Sequence, residues 1–270
     1  MMLDPRTIEA LAGELDVAER ERVQIPLISA RFPQSGLSDA YAVQDRWVAL
    51  KKKAGRRQIG WKIGLTSQAM QAALGIDTPD SGVLFDDMAF EEGGVVPAGR
   101  FIRPRVEAEI AFLLKEPLSG PDISVTDVLD ATSYVLPALE ILDTRIVRRD
   151  EATGKARTIV DTIADNAANA GIVTGGRPMR PLDTDLRWLG AIVSKNGRVE
   201  ETGLAAGVLN HPAQGIVWLA RRLHGLGQRL EPGQIVLSGS FIRPLETEPG
   251  DTVSADFGPA GTVSIHFGRP

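Results

Sequence analysis

The chain has 270 residues, 43% hydrophobic and 24% charged, which suits a globular protein long enough to bury a substantial core. A formal net charge of −5 and a pI near 5.4, with no basic block, speak against nucleic acid or an anionic membrane surface as a partner. No cysteine is present, which excludes disulfides, thiolate metal sites and cysteine nucleophiles and fits a reducing compartment.

Met1 to Arg20 is acidic and amphipathic instead of basic then apolar, so it does not read as a secretory signal. No apolar run approaches the roughly 20 residues of a membrane span, and a soluble cytoplasmic protein is expected. Thr7 to Glu21 predicts a helix, with Ile8, Leu11, Leu15 and Val17 set among charges. Ser38 is placed to cap a second helix carrying Tyr41, Val43, Trp47 and Leu50. Lys51, Lys52 and Lys53 complement its C-terminal dipole, and Gly55 stops it. Gln58 to Gly64 then reads as a strand and Thr66 to Leu74 as a short helix. Val106 to Leu114 is predicted as a strand, Ser124 to Ala131 as a helix, and Tyr134 to Leu142 as a second strand. The charged stretch Arg145 to Lys155 reads as an exposed loop, and Thr158 to Ala170 as helix. Leu186 to Ser194 and Arg198 to Thr202 flank Lys195-Asn196-Gly197, a hairpin signal. Pro212 opens a helix through Leu223, and Ile235 to Leu237, Thr252 to Phe257 and Thr262 to Phe267 are strands. Strands and helices do not alternate regularly. The expected fold is therefore α+β, with a mixed, curved β-sheet core, in a single catalytic domain: residues 1–57 helical, residues 58–270 β-rich.

The most informative segment is Pro104-Arg105-Val106-Glu107-Ala108-Glu109-Ile110-Ala111-Phe112. As a strand it places Glu107, Glu109 and Ala111 on one face, with the two glutamate Cα atoms about 6.5 to 7 Å apart. Glu140 lies in a second apolar strand, Leu136 to Leu142, where an ionised carboxylate needs a partner. Two carboxylates about 4 Å apart repel by roughly 4 kcal/mol at an effective dielectric of 20, so protons or a cation must intervene. An all-oxygen set suits Mg²⁺ or Mn²⁺ better than zinc. The same Glu-x-Glu pattern is also the solvated face of an ordinary sheet.

Lys62 sits in the glycine-flanked strand Gly60-Trp61-Lys62-Ile63-Gly64. It reads either as an edge-strand lysine with its head in water or as a desolvated lysine near a cation, with a lowered pKa suited to proton transfer. Leu65-Thr66-Ser67 offers a hydroxyl and backbone N–H groups to a carboxylate. Asn166 and Asn169, three apart, would share a helix face, as substrate contacts or as caps. Ser238-Gly239-Ser240 is a turn able to bring backbone donors to a ligand. His211, His224 and His266 show no ligand spacing and are assigned to structure.

Taken in order, Asp39 to Gln44, Lys62 to Ser67, Ala69 to Gln71, Pro104 to Phe112, Pro137 to Leu142, Asp161 to Gly171, Gly203 to Pro212 and Ser238 to Pro244 resemble the 2-oxo-acid hydratase and decarboxylase group of the fumarylacetoacetate hydrolase superfamily. The resemblance implies a metal site at Glu107, Glu109 and Glu140, Lys62 beside the substrate, and Asp80 in a proton-transfer or orienting role. It implies a β-rich core with N-terminal helices and a homo-oligomer built on pentameric rings, a pentamer or decamer. The implied reaction is Mg²⁺-dependent hydration of a small 2-oxo-enoic acid, with a seven-carbon diacid from 4-hydroxyphenylacetate breakdown as substrate. Leu65, Thr66, Ser67, Asn166, Ser238, Ser240 and Arg243 are the expected substrate contacts. Arg243 would serve as a bidentate partner for the distal carboxylate, or else form an exposed ion pair. Trp61 and Ser81 depart from the family pattern, where histidine and tyrosine are common, and this bears on the substrate. The competing readings are a 2-oxo-hexenedioate decarboxylase, a 2-hydroxypenta-2,4-dienoate hydratase, an acylpyruvate-type C–C hydrolase and a silent binding module stapled by a cation.

Overall fold

The computed structural model describes residues 3–67, 71, 76 and 78–270. Helix α1 (Pro5–Glu21) is capped by the Asp4 carboxylate, which accepts from the Arg6 and Thr7 N–H groups at 2.9 and 3.2 Å. A single turn, α2 (Ile28–Arg31), precedes α3 (Leu37–Lys53). The cap of α3 comes from Asp39, which accepts from Gly36 N and from Leu3 N, and not from the expected Ser38.

The strands follow: β1 (Gln58–Gly64), β2 (Asp80–Phe85), β3 (Ala89–Phe90), β4 (Val95–Val96) and β5 (Arg105–Leu114). Helix α4 (Val125–Ala131) leads into β6 (Thr132–Leu142), and α5 (Ile159–Ala164) into β7 (Asn169–Thr174). Strands β8 (Gly190–Lys195) and β9 (Arg198–Leu204) form the expected hairpin, with Asn196 and Gly197 at positive φ. Helix α6 (Ala213–Gly225) precedes β10 (Ile235–Leu237), β11 (Leu245–Glu246), β12 (Thr252–Asp256) and β13 (Thr262–Phe267).

One sheet runs β2-β1-β10-β5-β6-β7-β3, with β11 added to β5; a second runs β4-β13-β12-β8-β9. Parallel pairs (β1 with β10, β3 with β7) mixed with antiparallel ones make the α+β fold with a mixed, curled sheet and N-terminal helices. Leu11, Leu15, Trp47, Phe112 and Leu223 belong to the core under the helices, and Val106, Ala108, Leu139 and Ile141 pack against Val193, Val253 and Ile265 of the second sheet. Among the described residues no helix is long and apolar enough to cross a membrane.

Three local expectations are corrected. The segment Thr158 to Ala170 is not one helix: α5 stops at Ala164, and Asn166, Ala167 and Ala168 take φ of 50°, 53° and 60° before β7 begins. Such left-handed residues cost on the order of 1 kcal/mol each, so tertiary contacts must hold them. The stretch Arg145 to Lys155 is exposed in its later part, Glu151 to Lys155, but Arg145 is buried. It is 2% exposed, its backbone N–H and Nη2 bond Asp165, and its Nη1 bonds Asn169 O. Leu186 to Trp188 is a 3₁₀ turn, not strand. The short helix expected from Thr66 to Leu74 lies largely outside the described residues.

Candidate active site

Strand register decides which side chains meet. Glu107 stands directly opposite Glu140 on β6, and Glu109 lies two residues along on the same face of β5. Ala111 on that face is opposite Leu237, Leu237 is opposite Lys62, and Lys62 is opposite Gly82, with Asp80 two residues before it. Period-2 alternation therefore delivers Glu107, Glu109, Glu140, Lys62 and Asp80 to one face of the curled sheet from four strands.

Glu107, Glu109 and Glu140 each offer an oxygen within 4.8 Å of the others. Glu109 and Glu140 are fully buried and Glu107 partly so. At that separation each pair of charges repels by about 3.5 kcal/mol or more at an effective dielectric of 20. Lys62 Nζ lies 3.3 Å from Glu140 Oε1, and one ammonium cannot balance three carboxylates. Glu109 Oε2 accepts the Gly239 N–H at 2.7 Å, whereas Glu109 Oε1 and Glu140 Oε2 are buried without a donor. Orphaned, converging oxygens with no nitrogen or sulfur beside them fit a hard divalent cation.

Burial, followed by the neighbouring Glu140 charge, pushes the Glu107 carboxyl up to about 7. The same causes hold Glu109 well above the carboxylate range, and burial raises Glu140 against the pull of Lys62. Asp80, 1% exposed, is raised by burial against the pull of Lys62 and Arg157, and among the described residues its Oδ1 has no hydrogen-bond partner. The lowered pKa expected for Lys62 presumes a cation beside it; the carboxylates by themselves act the other way. Burial pulls it down, but Glu140, Asp80, Glu107 and Glu109 outweigh burial and raise it above an ordinary ammonium. Lys62 and Asp80 converge over Gly64, where an added Cβ would lie 2.3 Å from Asp80 Oδ1 and 3.1 Å from Lys62 Nζ.

The remaining candidates divide. Ser238 is buried, with its Oγ unpartnered. Thr66 is buried against the Ser238–Ser240 turn: a Cβ on Gly239 (φ 110°) would fall 2.1 Å from Thr66 Oγ1, so only glycine permits this approach. Leu65 takes a φ of 55°, and its carbonyl accepts from Gln71 Nε2 at 2.6 Å, while the Ser67 carbonyl accepts from Gln71 N at 2.9 Å. Ser240 turns its hydroxyl to Ile242 O at 2.9 Å. Asn166 is turned to backbone: its Oδ1 accepts from Val83 N at 2.8 Å and its Nδ2 donates to Val83 O at 3.0 Å. Arg243 is 82% exposed and paired with Glu201 at 2.5 Å. The histidines bond elsewhere, His211 to Ala213 N, His224 to Ser119 and His266 to Thr252. Sequence reasoning missed Gln44, whose Nε2 donates to Ser81 O and Ile163 O and ties α3 to the strand bearing Asp80. A buried amide on a helix gave no signal by its spacing.

No family model matches the chain. A 2-oxo-hept-4-ene-1,7-dioate hydratase of Escherichia coli is 51% identical over 98% of the chain and 100% of its own length. A solved 4-oxalocrotonate decarboxylase of Pseudomonas putida G7, complexed with magnesium and adipate, is 34% identical, covers 98% of this chain and 99% of its own, and superimposes with a TM-score of 0.92. A yeast fumarylacetoacetate hydrolase family protein shares the fold at a TM-score of 0.55 and 17% identity, over 80% of this chain and 95% of its own.

Proposed function

The chain belongs to the 2-oxo-acid hydratase and decarboxylase family of the fumarylacetoacetate hydrolase fold, and from that membership we propose that it hydrates 2-oxohept-4-ene-1,7-dioate to 4-hydroxy-2-oxoheptanedioate with Mg²⁺ as its cofactor, in the breakdown of 4-hydroxyphenylacetate. The observation that carries the site assignment is the trio of buried, converging glutamate oxygens beside Lys62 and Asp80. Glu107, Glu109 and Glu140 would hold the ion; Mn²⁺ suits the same donors. The chemistry supplied by Mg²⁺ when bound is Lewis-acid polarisation of the 2-oxo-acid head group.

The chain's own residues do the rest. Lys62 keeps its positive charge at Glu140 and offsets the charge of the incoming dianion. Thr66, Ser67 and Ser238, with the Leu65 backbone, wall the substrate's carboxylate end. Asp80, with its free Oδ1, is the proton carrier. A proton leaves C3 and one is delivered to C5, which moves the double bond into conjugation with the ketone. Water then adds at C4 as C3 regains a proton. Gly239 fixes Glu109, and Asn166 holds the strand from which Asp80 projects. The enzyme works in the cytoplasm as a homo-oligomer, an assembly supported by Trp188, Ile192 and Leu204, left exposed around one apolar groove; light scattering tests it.

The test is ultraviolet monitoring of a conjugated 2-hydroxydienoate with Mg²⁺ present and then chelated, with the product identified by mass. Loss of the chromophore with a gain of one water is expected. Release of carbon dioxide would reassign the protein to decarboxylation, and no Mg²⁺-dependent turnover of any 2-oxo-enoate would leave the cluster a structural staple.

A further inference from the structure

We propose that Arg105 binds the distal carboxylate of the substrate and so sets a preference for diacids, an inference that rests on the reading of the chain as a 2-oxo-enoate hydratase. Arg105 opens β5 and shares the face of Glu107 and Glu109 by strand alternation. Its Cα stands one two-residue step from that of Glu107, about 6.5 to 7 Å. The six carbon–carbon bonds of an extended seven-carbon diacid span roughly 7.5 Å, from bonds of about 1.5 Å each. An acid whose head group is held at the glutamates can therefore present its far end to Arg105, and a five-carbon acid falls short.

The guanidinium is left needing an acceptor. Arg105 is partly buried, its Nε is enclosed without a partner, and among the described residues its side chain makes no hydrogen bond or ion pair. The neighbouring arginines already have carboxylate partners. Arg148 pairs with Glu246, which stands opposite Arg105 on β11, and Arg157 pairs with Asp165 at 3.4 Å. Glu107, the nearest carboxylate along the strand, is turned to the cluster with Glu109 and Glu140. One planar cation with five donors thus feels the charges of Glu107 and Glu246 but, among the described residues, has no hydrogen-bonded acceptor, and a carboxylate is the anion its fork fits. Arg243, the arginine favoured by its sequence context, is satisfied at the surface by Glu201.

The test compares Mg²⁺-loaded wild type, Arg105→Met and Arg105→Lys on 2-oxohept-4-ene-1,7-dioate and on 2-oxohept-4-enoate, its monoacid counterpart. Arg105→Met should lose roughly 10- to 100-fold in kcat/KM on the diacid, chiefly through KM, and stay near wild type on the monoacid. Arg105→Lys, which keeps the charge without the fork, should fall between. Calorimetric binding of the saturated 2-oxoheptanedioate and 2-oxoheptanoate reads the same pocket without turnover. Wild type should prefer the diacid, and Arg105→Met should lose the preference. Equal losses on both acids, or a wild type that binds both saturated acids alike, overturns the proposal even if hydration is confirmed. A diacid preference that depends on Arg105 in a protein without hydratase turnover would uphold it and overturn the reaction instead.

Discussion

Replacing Glu107 by glutamine tests the carboxylate cluster through stability instead of rate. The folded Glu107 carboxyl titrates near 7, against 4.5 for the unperturbed group. Below pH 4.5 both folded and unfolded chains hold the proton, and the group contributes nothing. Between 4.5 and 7 the unfolded chain releases a proton that the folded one retains, so rising pH favours unfolding; above 7 the effect is level. The full difference is about 3 kcal/mol, and the partial exposure of Glu107 reduces it to about 2 kcal/mol. Glu109 is raised in part by the Glu107 charge, so the substitution also relaxes Glu109, with the same sign, and the comparison reads the coupled pair. The chelated wild type should therefore lose about 2 kcal/mol more than Glu107→Gln between pH 5 and pH 8. Mg²⁺ should restore the wild type and stabilise the variant far less. Urea unfolding followed by tryptophan fluorescence, with chelator or with Mg²⁺, measures both. Parallel pH profiles for the two chelated proteins, or equal stabilisation by Mg²⁺, would sink the argument.

Lys62→Met removes the one cation that touches Glu140 among the described residues, so Mg²⁺ should bind more tightly while kcat falls by about 100-fold or more; weaker metal binding by calorimetry contradicts this. Gly64→Ala puts a Cβ 2.3 Å from Asp80 Oδ1 and should cost about tenfold or more in kcat. In contrast, Gly13→Ala, with nothing within 4 Å in the interior of α1, should raise stability by about 0.5 to 1 kcal/mol, read from the melting curve with kcat unchanged. Asn166→Ala removes both side-chain bonds to Val83 from a left-handed residue. It should destabilise by about 2 to 3 kcal/mol and lower kcat on refolded, melt-checked protein.

The period-2 pattern of Glu107, Glu109 and Ala111 made one half of the cluster legible, because strand parity is local. The other half depends on which strands become neighbours. Nothing within Leu136 to Leu142 states that Glu140 will stand opposite Glu107, and the parallel pairing of β1 with β10 that carries Lys62 to the same face joins segments far apart in the chain. Asn166 read as a helix residue because alanine follows it twice and favours helices; the left-handed run is imposed by bonds to Val83 that propensity does not contain. Arg145 read as solvated because charge density signals surface, and its buried partner Asp165 lies beyond the local window. Arg243 stood out through its neighbours Ser240 and Pro244, while Arg105, within the most informative segment of all, drew no notice beside two glutamates.

The Gln44 amide reaches from a surface helix to the carbonyls of Ser81 and Ile163 at once, bracing the strand of Asp80 and the segment leading to Asn166 with a single side chain. The helical layer is therefore part of the scaffold of the buried cluster and not a cover over it. Any slippage of α3 along its axis would be transmitted as a displacement of Asp80, so this helix is where distant sequence changes can reach the buried cluster without altering any of its own residues.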